Sequence, residues 1–129
     1  MIDNYGRKIT YMRISVTELC NLRCRYCMPE EGIYKRSHEE MMTAEETISA
    51  VKAAVSLGIN KFRITGGEPL VKRGIVNLCR AIANTEGVDE LCITTNGTLL
   101  PEYASQLKKA GVDRLNISLD TLKPDRFKY

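Results

Sequence analysis

Apolar and polar positions alternate with a period of two over residues 11–16, 61–65 and 114–119, and that spacing predicts β-strands. A more apolar run at 90–95, ending in Thr94 and Thr95, predicts another. Between the strands the period becomes helical. Thr43, Ala44, Glu45 and Glu46 form a capping box, in which a hydroxyl and a carboxylate each satisfy a free amide of the first turn. Ile48, Val51, Ala54 and Val55 then line one face, and Gly58 ends the helix because glycine accepts the left-handed cap. A second helix is expected over residues 74–84, with Ile75, Leu78, Cys79 and Ile82 on one side. A third begins near Pro101, a favoured first-turn position, and ends at Gly111. A fourth starts at Pro124. Residues 29–40 read as one long charged loop, a length that in compact domains marks function or disorder.

Four successive βα units imply an α/β fold with parallel strands and right-handed crossovers, hence a doubly wound sheet or part of a TIM-type (β/α) barrel. The strand faces choose between them. Met12, Ile14 and Val16 oppose Tyr11, Arg13 and Ser15; Phe62 and Ile64 oppose Lys61, Arg63 and Thr65; Leu115, Ile117 and Leu119 oppose Arg114, Asn116 and Ser118. A doubly wound sheet carries helices on both faces, so both should be apolar. One apolar and one polar face suits helices outside and a lumen that holds a polar ligand; strands partly open to water are the plainer alternative. Four units make half a barrel and leave the last strand, rich in Leu and Ile, as an unpaired edge. The chain is therefore expected to be the N-terminal part of a longer enzyme, a homodimer that closes the barrel being the alternative.

Composition narrows the class. In 129 residues, 43% are hydrophobic and 27% charged, which is ordinary for a soluble domain. A net charge of +3 is too mild to argue for nucleic acid. The first residues lack the apolar core of a signal peptide, and no run approaches a membrane span. Five cysteines are an odd number with three crowded together, so a disulfide framework is not expected and a reducing cytoplasm is.

Those three, Cys20, Cys24 and Cys27, follow the first strand as C-x3-C-x2-C, at the C-terminal face where barrel enzymes place active sites. Three thiolates at this spacing can hold three corners of a cubane iron–sulfur cluster, whereas electron-transfer clusters take a thiolate on every corner. The fourth iron is then open to another molecule. A zinc knuckle uses the same donors, but closed zinc sites want four ligands and His38 is the only imidazole in the chain. After the second strand comes Gly66-Gly67-Glu68-Pro69, where glycines permit close backbone approach and Glu68 can accept from an ammonium group. Arg13 and Arg63 sit within strands on the polar face. A guanidinium keeps its charge, so when buried it needs an acidic side chain or a phosphate-bearing substrate. Thr94 lies at the same rim. Cys79 and Cys92 read as core packing, His38 as a surface residue, and Lys72 and Arg73 as a solvated helix start.

The cysteine run, with Tyr26 before its last member, resembles the radical S-adenosylmethionine (SAM) enzymes. Within them, M-R-I-S-V-T-E-L-C-N-L-R-C-R-Y-C-M-P over residues 12–29 is similar to the GTP 3′,8-cyclase family of molybdenum-cofactor biosynthesis, as are R-I-T-G-G-E-P-L, T-T-N-G and N-I-S-L-D in the same order. The resemblance implies half of a partial radical SAM barrel, with a [4Fe–4S] cluster on Cys20, Cys24 and Cys27. It implies SAM contacts from Tyr26, Gly66, Gly67, Glu68 and Ser118, with Asp120 beside them, and GTP contacts from Arg13, Arg63 and Thr94. An external one-electron reductant would drive SAM cleavage and start radical cyclisation of GTP. The family's second, C-terminal cluster and its terminal glycine pair have no counterpart in residues 1–129. Alternatives are another radical SAM enzyme, peptide-modifying or deazapurine-forming, or a non-catalytic iron–sulfur or zinc module.

Overall fold

The computed structural model describes residues 1–29, 31 and 41–127. Four strands, β1 (Tyr11–Ser15), β2 (Lys61–Thr65), β3 (Glu90–Thr95) and β4 (Arg114–Ile117), pair in the order β1-β2-β3-β4, all parallel. Helices α1 (Ala44–Ser56), α2 (Ile75–Ala83) and α3 (Leu100–Lys109) fall between successive strands, and α4 (Pro124–Phe127) follows the last. A doubly wound sheet reverses its strand order at a switch point; an unbroken 1-2-3-4 order is an arc of a barrel, as the strand faces imply.

The helical signals are realised in detail. Thr43 Oγ1 accepts from the Glu46 amide at 3.1 Å, and the Glu46 carboxylate accepts from the Thr43 amide at 2.8 Å. After the helix, Gly58 takes φ +88°, which a β-carbon would oppose. The core lies between the sheet and α1–α3. Phe62, Ile64, Leu91 and Ile93 meet Val51 and Ala54 of α1, Ile75, Leu78, Cys79 and Ile82 of α2, and Leu107 of α3. A single-turn 3-10 helix, Pro69–Val71, was not expected and enters this core through Leu70.

Three expectations need correction. β1 and β4 are shorter than their patterns, because pairing stops at Ser15 opposite Thr65 and at Ile117 opposite Thr95. Val16 nevertheless donates to Thr65 O at 3.0 Å before the chain leaves the sheet. Leu115, Ile117 and Leu119 are 36%, 57% and 59% exposed rather than covered. Cys92 is buried but lies outside the helix-packed core, in register with Arg63 and Arg114 on the polar face. Cys79 does pack in the core, where burial pushes its thiol up to about 12. Among the described residues no helix is long and apolar enough to cross a membrane.

Candidate active site

Parallel strands deliver all their C-terminal ends to one side, and the loops that leave those ends are bonded to one another. Gly67 N donates to Thr17 O and Glu68 N to Leu19 O, both at 2.8 Å, so the Gly66–Gly67 turn lies directly on the start of the cysteine loop. A β-carbon on Gly66 would stand 2.5 Å from Thr17 O, and one on Gly67 2.4 Å from Leu19 O. The glycines are thus required first by the approach of protein backbone. From the third strand end, Asn96 Nδ2 donates to Asn21 Oδ1 at 2.9 Å and reaches Cys20 Sγ at 3.9 Å, while Asn21 Nδ2 donates to Thr98 Oγ1 at 2.8 Å. From the fourth, Asp120 accepts the Tyr26 hydroxyl at 2.9 and 3.1 Å. That hydrogen bond, with the carboxylate's charge, raises the Tyr26 pKa.

Glu68 occupies a different position from the ammonium acceptor expected of it. Its side chain is buried, with the residue 1% exposed. One carboxylate oxygen accepts from Leu70 N at 3.0 Å and Thr95 Oγ1 at 2.7 Å, and the other from Asn96 N at 2.7 Å. Its work is to clamp the glycine turn to the end of β3.

Cys20 and Cys24 are half-buried and Cys27 is exposed. Cys27 N and Met28 N both donate to Cys24 O at 2.9 Å, which winds the loop into a turn, and Leu22 N donates to Cys20 Sγ at 3.4 Å. Desolvation raises the Cys24 pKa, and Asp120, Cys20 and Cys27 raise it further. Cys20 and Cys27 thus stand close enough to oppose ionisation of Cys24, a penalty that a bound cationic metal centre reverses. Among the described residues no three His, Cys, Asp or Glu side chains are arranged to hold a single metal ion. By donor chemistry alone, three cysteines on one loop suit a cluster held at three corners, whereas a closed zinc site takes four ligands. His38 lies outside the described residues.

On the polar face, register places Arg13 opposite Arg63, Arg63 opposite Cys92, and Cys92 opposite Arg114. Arg114 is neutralised by Glu90 at 2.5 Å, and the Cys92 thiol donates to the same carboxylate at 3.2 Å. Neither Arg13 nor Arg63 has an ion-pair partner among the described residues. Arg63 Nε is buried without a hydrogen-bond partner there, and its guanidinium lies 5.6 Å from the centroid of the Tyr11 ring. Arg13 Nε donates to the Tyr11 hydroxyl at 3.1 Å. Thr94 is half-buried one rank further along, beside Asn116, and Ser118 is exposed with its amide on Thr95 O at 2.9 Å. A cavity of about 290 Å³ opens at the end of β1 among Ser15, Glu18, Thr47 and Lys72. Lys72 is thus half-buried on the site side, while Arg73 is exposed as expected.

Sequence reasoning passed over Tyr11, Asn96 and the Glu90–Arg114 pair. Tyr11 shares a face with Arg13 by simple alternation, and Asn96 ends a strand at the active rim. Those positions were the available signals.

The radical SAM superfamily model matches residues 14–129. The chain is 60% identical over 129 residues to a GTP 3′,8-cyclase of Peptoclostridium acidaminophilum, covering 100% of this chain and 40% of that protein. It is 59% identical over 128 residues to one of Alkaliphilus oremlandii, covering 99% and 40%, and 55% identical over 128 residues to one of Geobacter sulfurreducens, covering 99% and 39%. The chain thus spans about 40% of the length of the curated relatives it matches. Among solved structures, BtrN in complex with AdoMet and 2-DOIA superposes with a TM-score of 0.68 at 18% identity, covering 93% of this chain and 50% of that one. BtrN in an open conformation gives 0.66 at 16%, covering 94% and 55%. At those identities the likeness is one of fold.

Proposed function

The chain belongs to the radical SAM superfamily, and on that premise we propose that residues 1–129 form the N-terminal radical SAM core of a GTP 3′,8-cyclase, an enzyme of molybdenum-cofactor biosynthesis. One observation carries the reading: β1 presents Arg13, without an ion-pair partner among the described residues, and the loop leaving the same strand presents the three thiols. The identity to proteins of that name along the whole chain supports it.

Cys20, Cys24 and Cys27 hold the [4Fe–4S] cluster. Tyr26, Gly66, Gly67 and Ser118 contact SAM, the glycines through backbone. Glu68 serves that site as a positioning residue, since its carboxylate is already engaged. Arg13, Arg63 and Thr94 bind GTP, the guanidiniums through its phosphates. When bound, cluster and SAM supply the one-electron chemistry that starts cyclisation of GTP to (8S)-3′,8-cyclo-7,8-dihydroguanosine 5′-triphosphate, with an external reductant as the electron source. A cytoplasmic setting is part of this reading, supported by an odd cysteine count with three thiols crowded on one loop. The open edge of β4 supports a partner that completes the arc, either the remainder of a longer protein or a second copy.

Anaerobic reconstitution with iron and sulfide tests the reading. The expected product is a brown protein with matched iron and sulfide that cleaves SAM to 5′-deoxyadenosine on reduction, with both properties lost on changing any of the three cysteines to Ala. Zinc without sulfide sinks the radical reading. Cleavage that proceeds while GTP binds equally well to Arg13→Gln and Arg63→Gln chains points to a different radical SAM substrate.

A further inference from the structure

Arg13 and Arg63 face each other directly across the β1–β2 pair, and like charges so placed repel. No carboxylate among the described residues neutralises either one. What the protein supplies instead is Tyr11. It stands two residues before Arg13 on the same face and is the diagonal neighbour of Arg63. Diagonal cross-strand side chains lie within reach of an aromatic ring. The Arg63 guanidinium lies 5.6 Å from the Tyr11 ring centroid, and the hydroxyl of that same ring accepts from Arg13 Nε at 3.1 Å. One side chain therefore touches both cations, by its π face and by its oxygen.

The two contacts differ in strength and in what they leave open. A ring quadrupole attracts a guanidinium without using any of its N–H groups. A phenol oxygen takes one N–H of the five that arginine carries. Among the described residues most donors on both guanidiniums are unengaged, and Arg63 Nε is buried without a partner there. A pair of adjacent forks with free donors suits a polyphosphate, whose oxygens can bridge both.

We infer that Tyr11 is a positioning residue for the phosphate chain of the substrate: its ring seats Arg63 and its hydroxyl orients Arg13, so that two mutually repelling cations point their free donors at one anion. This rests on the reading that the two arginines bind GTP phosphates.

The test uses the whole chain, with tripolyphosphate and GTP as probes in calorimetry, and arginine Nε–H resonances as a ligand-free readout. Arg63→Gln and Arg13→Gln should each weaken tripolyphosphate binding by about tenfold or more, the usual worth of a charge-assisted hydrogen bond. Tyr11→Phe should weaken it by roughly two- to fivefold and shift the Arg13 Nε–H signal while leaving Arg63 in place. Tyr11→Leu should weaken it by about five- to tenfold and move both signals, because the ring is gone as well. If the arginine variants lose affinity while both Tyr11 variants bind as the parent does, the inference falls and the phosphate reading stands. If the parent binds no tripolyphosphate, or the arginine variants bind unchanged, both fall together.

Discussion

Glu68 shows how a carboxylate in a turn can be taken up entirely by its own fold. A buried carboxylate is costly unless it is paired or hydrogen-bonded. Glu68 meets that cost with three donors, two from backbone and one from Thr95, drawn from two different segments. Removing it strands all three. Glu68→Ala should lower unfolding stability by roughly 3 kcal/mol, and Glu68→Gln by about 1–3 kcal/mol, because an amide turns one acceptor into a donor facing a donor. Urea unfolding of the three proteins measures this, and an unchanged midpoint for Glu68→Gln would show that the clamp contributes nothing. In the sequence, Glu68 was visible as part of G-G-E-P, but its burial was not. A carboxylate in a turn reads as exposed until the 3-10 turn and the end of β3 are known to close over it. The same holds for Cys92, whose position in an apolar run hid the fact that its register partners are arginines.

At the scale of elements, the best-marked boundaries were those with a chemical stop. β2 falls where alternation predicts and β3 where the apolar run does, each followed by a glycine-containing turn, Gly66-Gly67 and Asn96-Gly97. α1 begins at its capping box. The strands at the edges of the sheet were read one and two residues too long, because side-chain alternation persists after the neighbouring strand has stopped offering partners. The capping box also carries a pH signature. The Thr43 backbone amide, helped by its hydroxyl, holds the Glu46 carboxyl below the ordinary glutamate value of about 4.3. A depressed folded pKa contributes stability that is present above the unfolded value and is lost as pH falls through the folded one. The stability gap between the parent and Glu46→Gln should therefore be constant near neutrality and close as pH drops below about 4. Thr43→Ala should cost about 1 kcal/mol at neutral pH, the usual worth of an N-cap. Thermal unfolding at a series of pH values checks both, and a gap that widens in acid would contradict the assignment.

The whole molecule is an arc, and an arc has two ends. Among the described residues β4 pairs only with β3, and Leu115 and Ile117 on its apolar face are exposed, as are Leu119 and Leu122 beyond it, Leu122 at 86%. A flat apolar edge with unpaired backbone groups recruits another strand. The half-barrel character of the chain was legible because each βα unit is self-contained; what covers the fourth strand was not, because that contact lies between units. Relatives of this chain extend over about two and a half times the matched length, which the 40% coverage gives directly. Residues 1–129 alone should therefore self-associate at micromolar concentrations through β4. Sedimentation velocity across a dilution series should show a weight-average mass above the monomer that falls on dilution. Ile117→Lys with Leu119→Lys should return it to the monomer without loss of helical content, because neither side chain belongs to the packed core and lysine on an edge discourages pairing. If the parent stays monomeric throughout, the exposed edge is tolerated by the chain itself, and the case for a second half that docks there loses its physical basis.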